Sequence, residues 1–536
     1  MTLDPRVVPD PEEPAAAPST GESFPAAAPS TSGDQTPRPQ RGDELELEIE
    51  SLAFGGEGIA RLGDGGYVVF VAGGIPGDRV RAVVYKRKRN YAHARTIEVL
   101  EPSPERIAPR AEHPGVPWQV LPYERQLEIK RAQVDDALRR IGRLDGFELE
   151  AIVPAVQAWR YRNKLEYSFG EGDGDPTHPG LVCGFHAPAG GNAVVAIEDC
   201  LLASERGNLA REVALRWCRA QGLAAWERGA GRRGRPGEDR ERTAPGPDGR
   251  ARLRNLVVRE GRRTGQLQVR IVTTDGELDA GSLALALSEA LGESLSGVLW
   301  TRSRSLAETT AGGDTELVWG ESELPERLGE LDLRISPEAF FQTNTEMAEL
   351  LYEVVVEYAA LEGWERVYDL YSGIGTIALT LAPRAGELWG IELVQAAVAD
   401  AIAAARRNEI EGVQFFAGDT RLALGELVER AGRPDVVVVD PPRAGLSQKV
   451  VRRIVEASPK RIVYVSCNPT TLAPNAAQLQ EAGWKLLKVR PVDMFPQTHH
   501  IECVALFERP AGTPAPAEQA TAASPAEQEI AATDPE

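Results

Sequence analysis

The feature that most constrains the fold is an alternation of short apolar segments with helical segments in the C-terminal part of the chain. The apolar, strand-like segments cover residues 367–371, 387–391, 413–416, 436–439, 461–465 and 501–507. Such alternation predicts a mostly parallel, doubly wound α/β sheet with helices on both faces. In sheets of this kind ligands bind beyond the carboxyl ends of the strands. The residues that follow each strand are therefore the first candidates for a functional site.

A glycine-containing turn follows the first of these strands. Residues 369–376 read DLYSGIGT, and the glycines allow a tight turn and close approach of the backbone to a ligand before a helix near Ile377. The second strand ends at Glu392, about twenty residues later, where a carboxylate can bind the two hydroxyls of an adenosine ribose. The turn lacks the third glycine of the dinucleotide fingerprint GxGxxG. It therefore favours S-adenosylmethionine over NAD.

Reactive side chains follow the later strands. Asp440 begins the segment Asp-Pro-Pro-Arg after the fourth strand, and Cys467 follows the fifth strand close to the start of a helix. The helix dipole is expected to lower the pKa of this thiol. Glu502 begins the last strand and would bring a second carboxylate to the same cleft. After the third strand, Asp419 has two equally plausible roles, contact with an adenine or capping of the next helix.

The N-terminal region has a different pattern. Between residues 44 and 100, short alternating segments separated by Gly-rich turns predict a small antiparallel β-barrel. Lysines and arginines are concentrated between Arg79 and Arg95, with Tyr85 and Tyr91 among them. This composition suits either contact with an RNA backbone or a solvated strand edge. The formal charge of the whole chain is -20, but the acids are concentrated in the tails and at 43–50, so this value does not exclude nucleic acid.

The middle of the chain predicts a mixed α+β region. An amphipathic helix is expected over residues 122–141 and is ended by Gly142, and strand-like segments follow it. A Gly/Arg-rich stretch near 228–250 is expected to be a mobile insertion that either contacts RNA or is simply solvated. No segment approaches the roughly 20 apolar residues of a membrane span. The 5 cysteines are scattered without a CxxC pair, which predicts neither a disulfide framework nor a zinc site.

These patterns divide the chain into five parts. The expected parts are a disordered tail at 1–40, a barrel at 41–101, a central α+β region at 102–333, a doubly wound domain at 334–509 and a second disordered tail at 510–536. The tails are rich in Pro, Ala, Ser and Thr and cannot offset the entropy of ordering. We expect a cytoplasmic monomer with no membrane partner.

Five motifs, in order along the chain, resemble the bacterial family of RNA uridine-C5 methyltransferases. They are FFQTN at 340–344, DLYSGIGT at 369–376, DPPRAGL at 440–446, SCNPTTL at 466–472 and FPQTHHIE at 495–502. The N-terminal barrel resembles the TRAM domain that several members carry for RNA binding. The resemblance implies a class I methyltransferase domain of Rossmann-like fold that uses S-adenosylmethionine.

The resemblance also implies roles for individual residues. The residues implied to hold the cofactor are Gln342, Tyr371, Glu392 and Asp440. Cys467 would be the nucleophile that adds to C6 of the uridine, and Glu502 would be the base that removes the C5 proton. The barrel favours 23S ribosomal RNA as the substrate, with transfer RNA as the alternative.

One departure from the family concerns an iron-sulfur cluster that many relatives hold. Ala111 and Pro117 stand where cysteine ligands are expected, and only Cys200 resembles a ligand. A single thiolate cannot hold a cluster, so none is expected.

Three rival functions remain at this point. Methylation of a base amino group is disfavoured because Arg443 replaces the aromatic residue of that motif, and methylation of cytosine C5 is disfavoured because no cysteine follows Pro442. From a different class, the chain would be an RNA-binding or RNA-folding protein with an idle methyltransferase domain. Such a protein should lack the thiol or the cofactor ligands.

Overall fold

The computed structural model describes residues 38–63, 66–172, 180–187, 193–227 and 244–510. The expected tails fall almost entirely outside the described residues, and so does most of the expected Gly/Arg-rich insertion. No helix in the described part of the chain has the length and apolar character needed to cross a bilayer.

The N-terminal region forms a six-stranded barrel. Its strands are β1 (Glu44–Glu48), β2 (Ser51–Leu52), β3 (Gly58–Leu62), β4 (Tyr67–Ala72), β5 (Arg79–Arg87) and β6 (Tyr91–Glu101), in the order β1-β5-β6-β4-β3-β2. Because β1 and β2 are almost contiguous in sequence yet lie at opposite ends of this order, the sheet curls until its ends meet. Strands β4 and β6 pair in parallel, so the expectation of a purely antiparallel barrel was wrong.

The central region contains a seven-stranded sheet. The chain first forms helix α1 (Tyr123–Asp136), which continues as a π-helical turn over Ala137–Ile141 and ends at Gly142 as expected. After the short strand β7 (Glu148–Leu149), the strands of the sheet are β8 (Lys164–Glu171), β9 (Leu181–His186), β10 (Val194–Ala196), β11 (Leu253–Glu260), β12 (Leu267–Thr273), β13 (Leu295–Arg302) and β14 (Asp314–Gly320), in the order β10-β9-β8-β11-β12-β13-β14. Helices α2 (Glu205–Ala220) and α3 (Ala280–Leu291) pack on it.

The C-terminal region forms an eight-stranded, mostly parallel sheet that follows a hairpin of β15 (Leu324–Leu328) and β16 (Leu331–Ile335). Its own strands are β17 (Arg366–Leu370), β18 (Glu387–Glu392), β19 (Val413–Ala417), β20 (Val436–Val439), β21 (Arg461–Ser466), β22 (Lys485–Val492) and β23 (Glu502–Glu508). With β7 at one edge, the order is β19-β18-β17-β20-β21-β23-β22-β7. The sequence did not predict β22.

Helices cover both faces of this sheet. They are α4 (Thr345–Ala359), α5 (Thr376–Leu381), α6 (Gln395–Arg407), α7 (Thr420–Ala431), α8 (Gln448–Ala457) and α9 (Pro469–Glu481). Along β20, Val436 and Val438 belong to one hydrophobic core, and Val437 and Val439 belong to the core on the opposite face. Because successive residues of a strand point to opposite faces, a continuous apolar strand indicates a sheet buried on both sides.

Polar side chains fix where several of these helices begin. Ser or Asn side chains cap α2, α4, α8 and α9, and Asp side chains cap α3 and α7. Each accepts a hydrogen bond from a backbone N–H that has no partner inside the helix.

The regions are joined where β7 pairs in parallel with β22. Val134 and Leu138, at the end of the α1 segment, also pack into the core of the C-terminal sheet. We propose the division at 41–101, 102–333 and 334–509 as the domain organisation, with the qualification that the segment from α1 to β7 lies against the C-terminal domain.

Candidate functional site

The candidate site lies where the strand order of the C-terminal sheet reverses. Strand β17 comes first in sequence within the parallel part, yet it lies between β18 and β20. Connections from β17 and from β20 therefore depart to opposite sides, which leaves a crevice at their carboxyl ends. Four predicted site residues lie at or just after the carboxyl ends of strands in this part of the sheet. They are Tyr371, Glu392, Asp440 and Cys467.

The glycine turn after β17 is shaped by backbone conformations that few side chains tolerate. Tyr371, Gly373 and Gly375 have φ of 66°, 54° and 82°. A Cβ at Gly375 would lie 2.8 Å from the ring of Phe415, whereas a Cβ at Gly373 would meet nothing within 4 Å. Gly375 is therefore required by packing, and Gly373 faces open space suited to a ligand.

Glu392 is held by the backbone around it. One carboxylate oxygen accepts a hydrogen bond from the N–H of Gly373 at 3.0 Å, and the other accepts one from the N–H of Val394 at 2.8 Å. A carboxylate has further lone pairs, so these bonds orient it without preventing contact with ribose hydroxyls. The half-buried carboxylate and the glycine turn thus form one preorganised unit.

Unpartnered polar groups beside this unit test whether it fits S-adenosylmethionine. Asp369 and Ser372 are both buried. Within the described part of the chain, the two carboxyl oxygens of Asp369 and the hydroxyl of Ser372 have no hydrogen-bond partner that meets distance and angle criteria. Burial and the nearby Asp440 raise the pKa of Asp369 well above its usual value, although the N–H of Ala378 opposes this rise. Buried polar groups without partners are costly unless a ligand satisfies them. The residues present therefore fit a polar, cationic ligand.

Sequence reasoning did not select Asp369. Its signal was available, because an Asp stands inside the otherwise apolar strand β17.

Gln342, which the family resemblance implies as a cofactor ligand, belongs to a different element. It is buried in the segment before α4, and its carbonyl accepts a hydrogen bond from the side chain of Asn163 at 2.8 Å. Asn344, in the same motif, caps α4 and donates to the carbonyl of Met494 at 2.9 Å. The motif is therefore fixed both to the central region and to the loop that precedes β23.

Asp440 follows β20 on a loop that α9 holds in place. The side chain of Asn475 accepts the N–H of Leu446 at 2.8 Å and donates to its carbonyl at 3.0 Å, and the hydroxyl of Tyr464 donates to the same amide oxygen. Asn468 also donates to the carbonyl of Arg443 at 3.3 Å. Asn475 is a positioning residue that the sequence did not reveal, since its partners are distant in the chain. Burial raises the pKa of Asp440 to about 7.

Cys467 lies opposite Glu502. Strands β21 and β23 are antiparallel, with Ser466 paired to Cys503, so continuing this register by one residue brings Cys467 opposite Glu502. Opposed residues of an antiparallel pair have Cβ atoms about 4.5–5.5 Å apart. The half-buried thiol and the carboxyl thus face the same small space.

The electrostatics of the thiol differ from the sequence expectation. Burial, then Glu502 and Asp440, raise the pKa of Cys467 to about 12, although the Arg443 guanidinium and a backbone hydrogen bond to the thiol oppose this rise. The expected lowering by the helix start was therefore wrong, because desolvation and two carboxyls outweigh the partial charge of a helix terminus. Burial and Asp440 likewise raise the pKa of Glu502 well above its usual value, again opposed by Arg443.

The loop before β23 carries Glu502 into the site and is held from several sides. Asp493, at its start, is fully buried and accepts hydrogen bonds from Lys130 at 2.5 Å and from Tyr123 at 2.7 Å. Gln497 exchanges hydrogen bonds of 2.9 Å with Gln126. Helix α1 therefore anchors this loop, which explains why α1 lies against the C-terminal domain.

The structure decides between the two roles left open for Asp419. Its side chain accepts the N–H of Arg421 at 2.9 Å and so caps α7, while its carboxylate also pairs with the Arg421 guanidinium. These contacts favour the capping role.

The segment where relatives hold an iron-sulfur cluster is packed by other side chains. Nε2 of the buried His113 lies 3.3 Å from Sγ of Cys200, and Val116 and Cys200 belong to the same hydrophobic core. Ala111 packs against that core and Pro117 is exposed. Among the described residues no group of three His, Cys, Asp or Glu side chains is arranged to hold a metal ion. These residues do not fit a cluster.

Comparisons with known proteins show which family and which domains the chain is similar to. A family model described as tRNA (Uracil-5-)-methyltransferase matches residues 321–510, and a TRAM domain model matches residues 38–97. The chain is 33% identical over 482 residues to an uncharacterized RNA methyltransferase of Halalkalibacterium halodurans, with 87% of this chain and 97% of the relative covered. It is 37% identical over 474 residues to an uncharacterized RNA methyltransferase of Bacteroides thetaiotaomicron, covering 85% of this chain and 100% of the relative.

A solved structure is similar over most of the chain. It is the Pyrococcus abyssi tRNA (uracil-54, C5)-methyltransferase in complex with S-adenosyl-L-homocysteine, with a TM-score of 0.67, 26% identity, and coverage of 86% of this chain and 99% of the other. Together the comparisons confirm the expected fold class, a mixed α/β protein with a Rossmann-like methyltransferase sheet and a strand-rich N-terminal domain.

Proposed function

The chain belongs to the RNA (uracil-C5)-methyltransferase family and is an S-adenosylmethionine-dependent enzyme that methylates RNA, and on this premise we propose that Cys467 and Glu502 carry its reaction at one uridine. The observation that carries the proposal is the register of β21 and β23, which sets the thiol opposite the carboxyl. The proposed nucleophile and the proposed base, which lie 35 residues apart in the sequence, would thus act at the same end of the sheet.

The thiolate of Cys467 would attack C6 of the uracil ring. The new S–C6 bond uses the thiolate electron pair, and the electrons of the C5–C6 double bond move toward O4, which makes C5 nucleophilic. S-adenosylmethionine, when bound, supplies the methyl group that C5 takes up. Glu502 then removes the C5 proton, the C5–C6 double bond re-forms, and the S–C6 electrons return to the sulfur.

The raised pKa values suit this sequence of steps. Because burial favours the neutral form, the thiol keeps its proton in the free enzyme. The thiolate has to form when substrate occupies the cleft, and the half-buried thiol would then release its proton to solvent water. Glu502 is a stronger base than an exposed glutamate for the same reason. Arg443 is the cation whose charge favours both anions, so we propose that it stabilises the thiolate and the negative charge that develops on the ring.

The cofactor would be held at the glycine turn. We propose that Glu392 binds the ribose hydroxyls and that Gln342, Tyr371 and Asp440 line the remainder of the site, as the family resemblance implies. The partnerless carboxyl of Asp369 adds a group suited to a cationic amino-acid moiety.

Two classes of RNA have support as the substrate. We propose a uridine of 23S ribosomal RNA, because the N-terminal TRAM domain gives the enzyme an RNA-binding unit beyond the catalytic sheet. The similarity to an enzyme that acts on transfer RNA supports a transfer RNA uridine as the second candidate. We also propose that the enzyme acts as a monomer in the cytoplasm. The thiol and the cofactor ligands are all present, which argues against an idle domain.

Two experiments test the proposal. RNA that contains 5-fluorouridine should trap a covalent adduct with the enzyme, because no C5 proton can be removed, and mass spectrometry should locate the bond at Cys467. Absence of an adduct, or an adduct on another residue, would refute the mechanism. Mapping of 5-methyluridine in ribosomal and transfer RNA from a deletion strain identifies the substrate, since the missing modification belongs to it.

A further inference from the structure

Four aromatic rings form a cluster on the outer face of the N-terminal barrel. The ring of His93 lies 5.4 Å from that of Phe70 in a stacked arrangement, 5.5 Å from that of Tyr91 and 5.9 Å from that of Tyr85. Phe70 and Tyr91 also meet edge to face at 5.6 Å. We refer to Phe70, Tyr85, Tyr91 and His93 as the aromatic platform.

The platform is not part of the barrel core. On β6 the alternate residues Ala92 and Ala94 are buried inside the barrel, which leaves Tyr91 and His93 on the outer face. An irregularity in the pairing of β5 with β6 occurs between Val84 and Lys86, at Tyr85, whose side chain is 46% exposed. Bulges of this kind redirect a side chain. The fold therefore places these aromatic groups where they contribute little to core packing.

Cations without ion-pair partners border the platform. Lys86, Lys88 and Arg89 are exposed, and none forms an ion pair with another described residue. At the other end of β5 the situation is reversed, since Arg79 pairs with Glu46 and Glu101, and Arg81 pairs with Glu98. Along β5 and the turn that follows it, the cations beside the aromatic rings are thus available to a polyanion, whereas Arg79 and Arg81 are already paired with carboxylates.

A short series of contacts connects the platform to the loop before β23, which carries Glu502. Nδ1 of His93 lies 3.1 Å from both carboxylate oxygens of Glu57, and the hydroxyl of Tyr85 donates to Glu57 at 3.3 Å. The preceding residue, Gly56, packs so closely on His499 that a Cβ there would lie 2.9 Å from the Cβ of His499. His499 lies three residues before Glu502. The platform is therefore held at a fixed position relative to the reaction cleft.

We propose that the aromatic platform stacks an unpaired base of the same RNA strand whose uridine enters the cleft, while Lys86, Lys88 and Arg89 contact its phosphates. This inference rests on the proposed function and adds a binding subsite outside the methyltransferase domain. Aromatic rings stack with any base, and neighbouring cations neutralise the backbone, which is the combination that binds single-stranded nucleic acid. The platform thus selects substrates in which the target uridine has an unpaired neighbour.

The test uses the full-length protein and a single-stranded oligoribonucleotide that carries one 2-aminopurine. Stacking on tyrosine should quench the fluorescence of 2-aminopurine on binding. Replacing both tyrosines with leucine, Tyr85→Leu with Tyr91→Leu, should remove the quenching and raise the Kd about tenfold. The matched control, Tyr85→Phe with Tyr91→Phe, keeps both rings and should change the Kd less than about twofold.

A second probe separates stacking from phosphate contact. An oligonucleotide of the same length with abasic sites should bind the leucine variant and the wild-type protein equally, because it has no base to stack. Equal loss of affinity for both probes, or wild-type protein that binds without quenching, would overturn the proposal. So would quenching that persists in a folded leucine variant, with folding checked by thermal unfolding.

The two sets of experiments distinguish a failure of the platform from a failure of the proposed function. If the 5-fluorouridine adduct fails to form but the quenching depends on the tyrosines, the platform stands and the catalytic assignment falls. If the adduct forms and the tyrosines do not affect binding, the catalytic assignment stands and the platform falls. A platform occupied instead by a second copy of the chain would give concentration-dependent dimerisation lost in the leucine variant, which also contradicts the proposal.

Discussion

At Glu392, in the half of the cleft that we assign to the cofactor, both carboxylate oxygens accept backbone hydrogen bonds. At Glu502, in the half that we assign to the reaction, no described residue hydrogen-bonds to the carboxyl, and its pKa is strongly raised. The difference shows that one sheet edge can serve two tasks. Groups that bind are oriented before the ligand arrives, and burial raises the pKa of the groups that react.

The largest expected effect comes from removing the nucleophile. Cys467→Ala should lower turnover by about 10⁴-fold or more, because no other thiol can add to C6, and it should leave the Kd for S-adenosylmethionine unchanged. Methyl transfer and calorimetry measure the two quantities. Cys503→Ala is the matched control, since this cysteine is buried in the neighbouring core and should be dispensable for turnover. Comparable losses in both variants would show that the thiol is structural.

Replacing the base should give a smaller loss and a different intermediate. Glu502→Gln should lower turnover by about 10³-fold, because the C5 proton is no longer removed efficiently. The covalent adduct should then accumulate on ordinary uridine RNA, which a denaturing gel detects. Glu508→Gln, at the other end of β23, is the control and should form no persistent adduct. Slow turnover without an adduct would assign the base to another residue.

A change in the cofactor half should leave the reactive thiol unaffected. Glu392→Gln should raise the Kd for S-adenosylmethionine about tenfold, since a neutral amide accepts weaker hydrogen bonds from ribose hydroxyls. Alkylation of Cys467 by iodoacetamide should stay at the wild-type rate. Glu387→Gln, at the start of the same strand, serves as the control and should bind the cofactor normally. Altered alkylation would mean that the halves are electrostatically coupled.

The smallest expected effect comes from Asp440, which we assign to the cofactor site and whose charge also acts on the thiol. The Asp440 carboxylate raises the pKa of Cys467, so Asp440→Asn should lower the thiol pKa and displace the pH profile of alkylation toward lower pH. At a fixed pH near 8 the alkylation rate without cofactor should increase about threefold or more. Asp435→Asn, just before β20, is the control and should give the wild-type profile. A profile that moves to higher pH would contradict the assigned electrostatics.

Much of the candidate site could be predicted because its motifs are local. The turn DLYSGIGT, the segment Asp-Pro-Pro-Arg and the cysteine before a helix each follow a strand, and a parallel sheet necessarily gathers such strand ends on one edge. The residues that hold these motifs in place were not predictable in the same way. Asn475 acts on Leu446, and Lys130 acts on Asp493, across separations in sequence that no local pattern encodes.

Among the features of the fold that the sequence did not predict, two depend directly on tertiary pairing. Strand β22 contains Lys, Arg and Pro among its apolar residues, so its pattern does not indicate a strand, and it forms because β23 and β7 pair with it on both sides. The parallel pairing of β4 with β6 depends on the closure of the barrel. Both are consequences of tertiary pairing.

The sequence alone determined the alternation of strands and helices in the C-terminal region, the glycine turn and the chemical identity of the groups at the strand ends, because these follow from hydrophobic periodicity and residue type. Only the tertiary structure decided how those groups titrate. The expected low pKa of Cys467 became a high one because partial burial desolvates the thiol and because Glu502 and Asp440, distant in sequence, lie near it. Charge interactions depend on distance and solvation, and neither quantity is written in the order of residues.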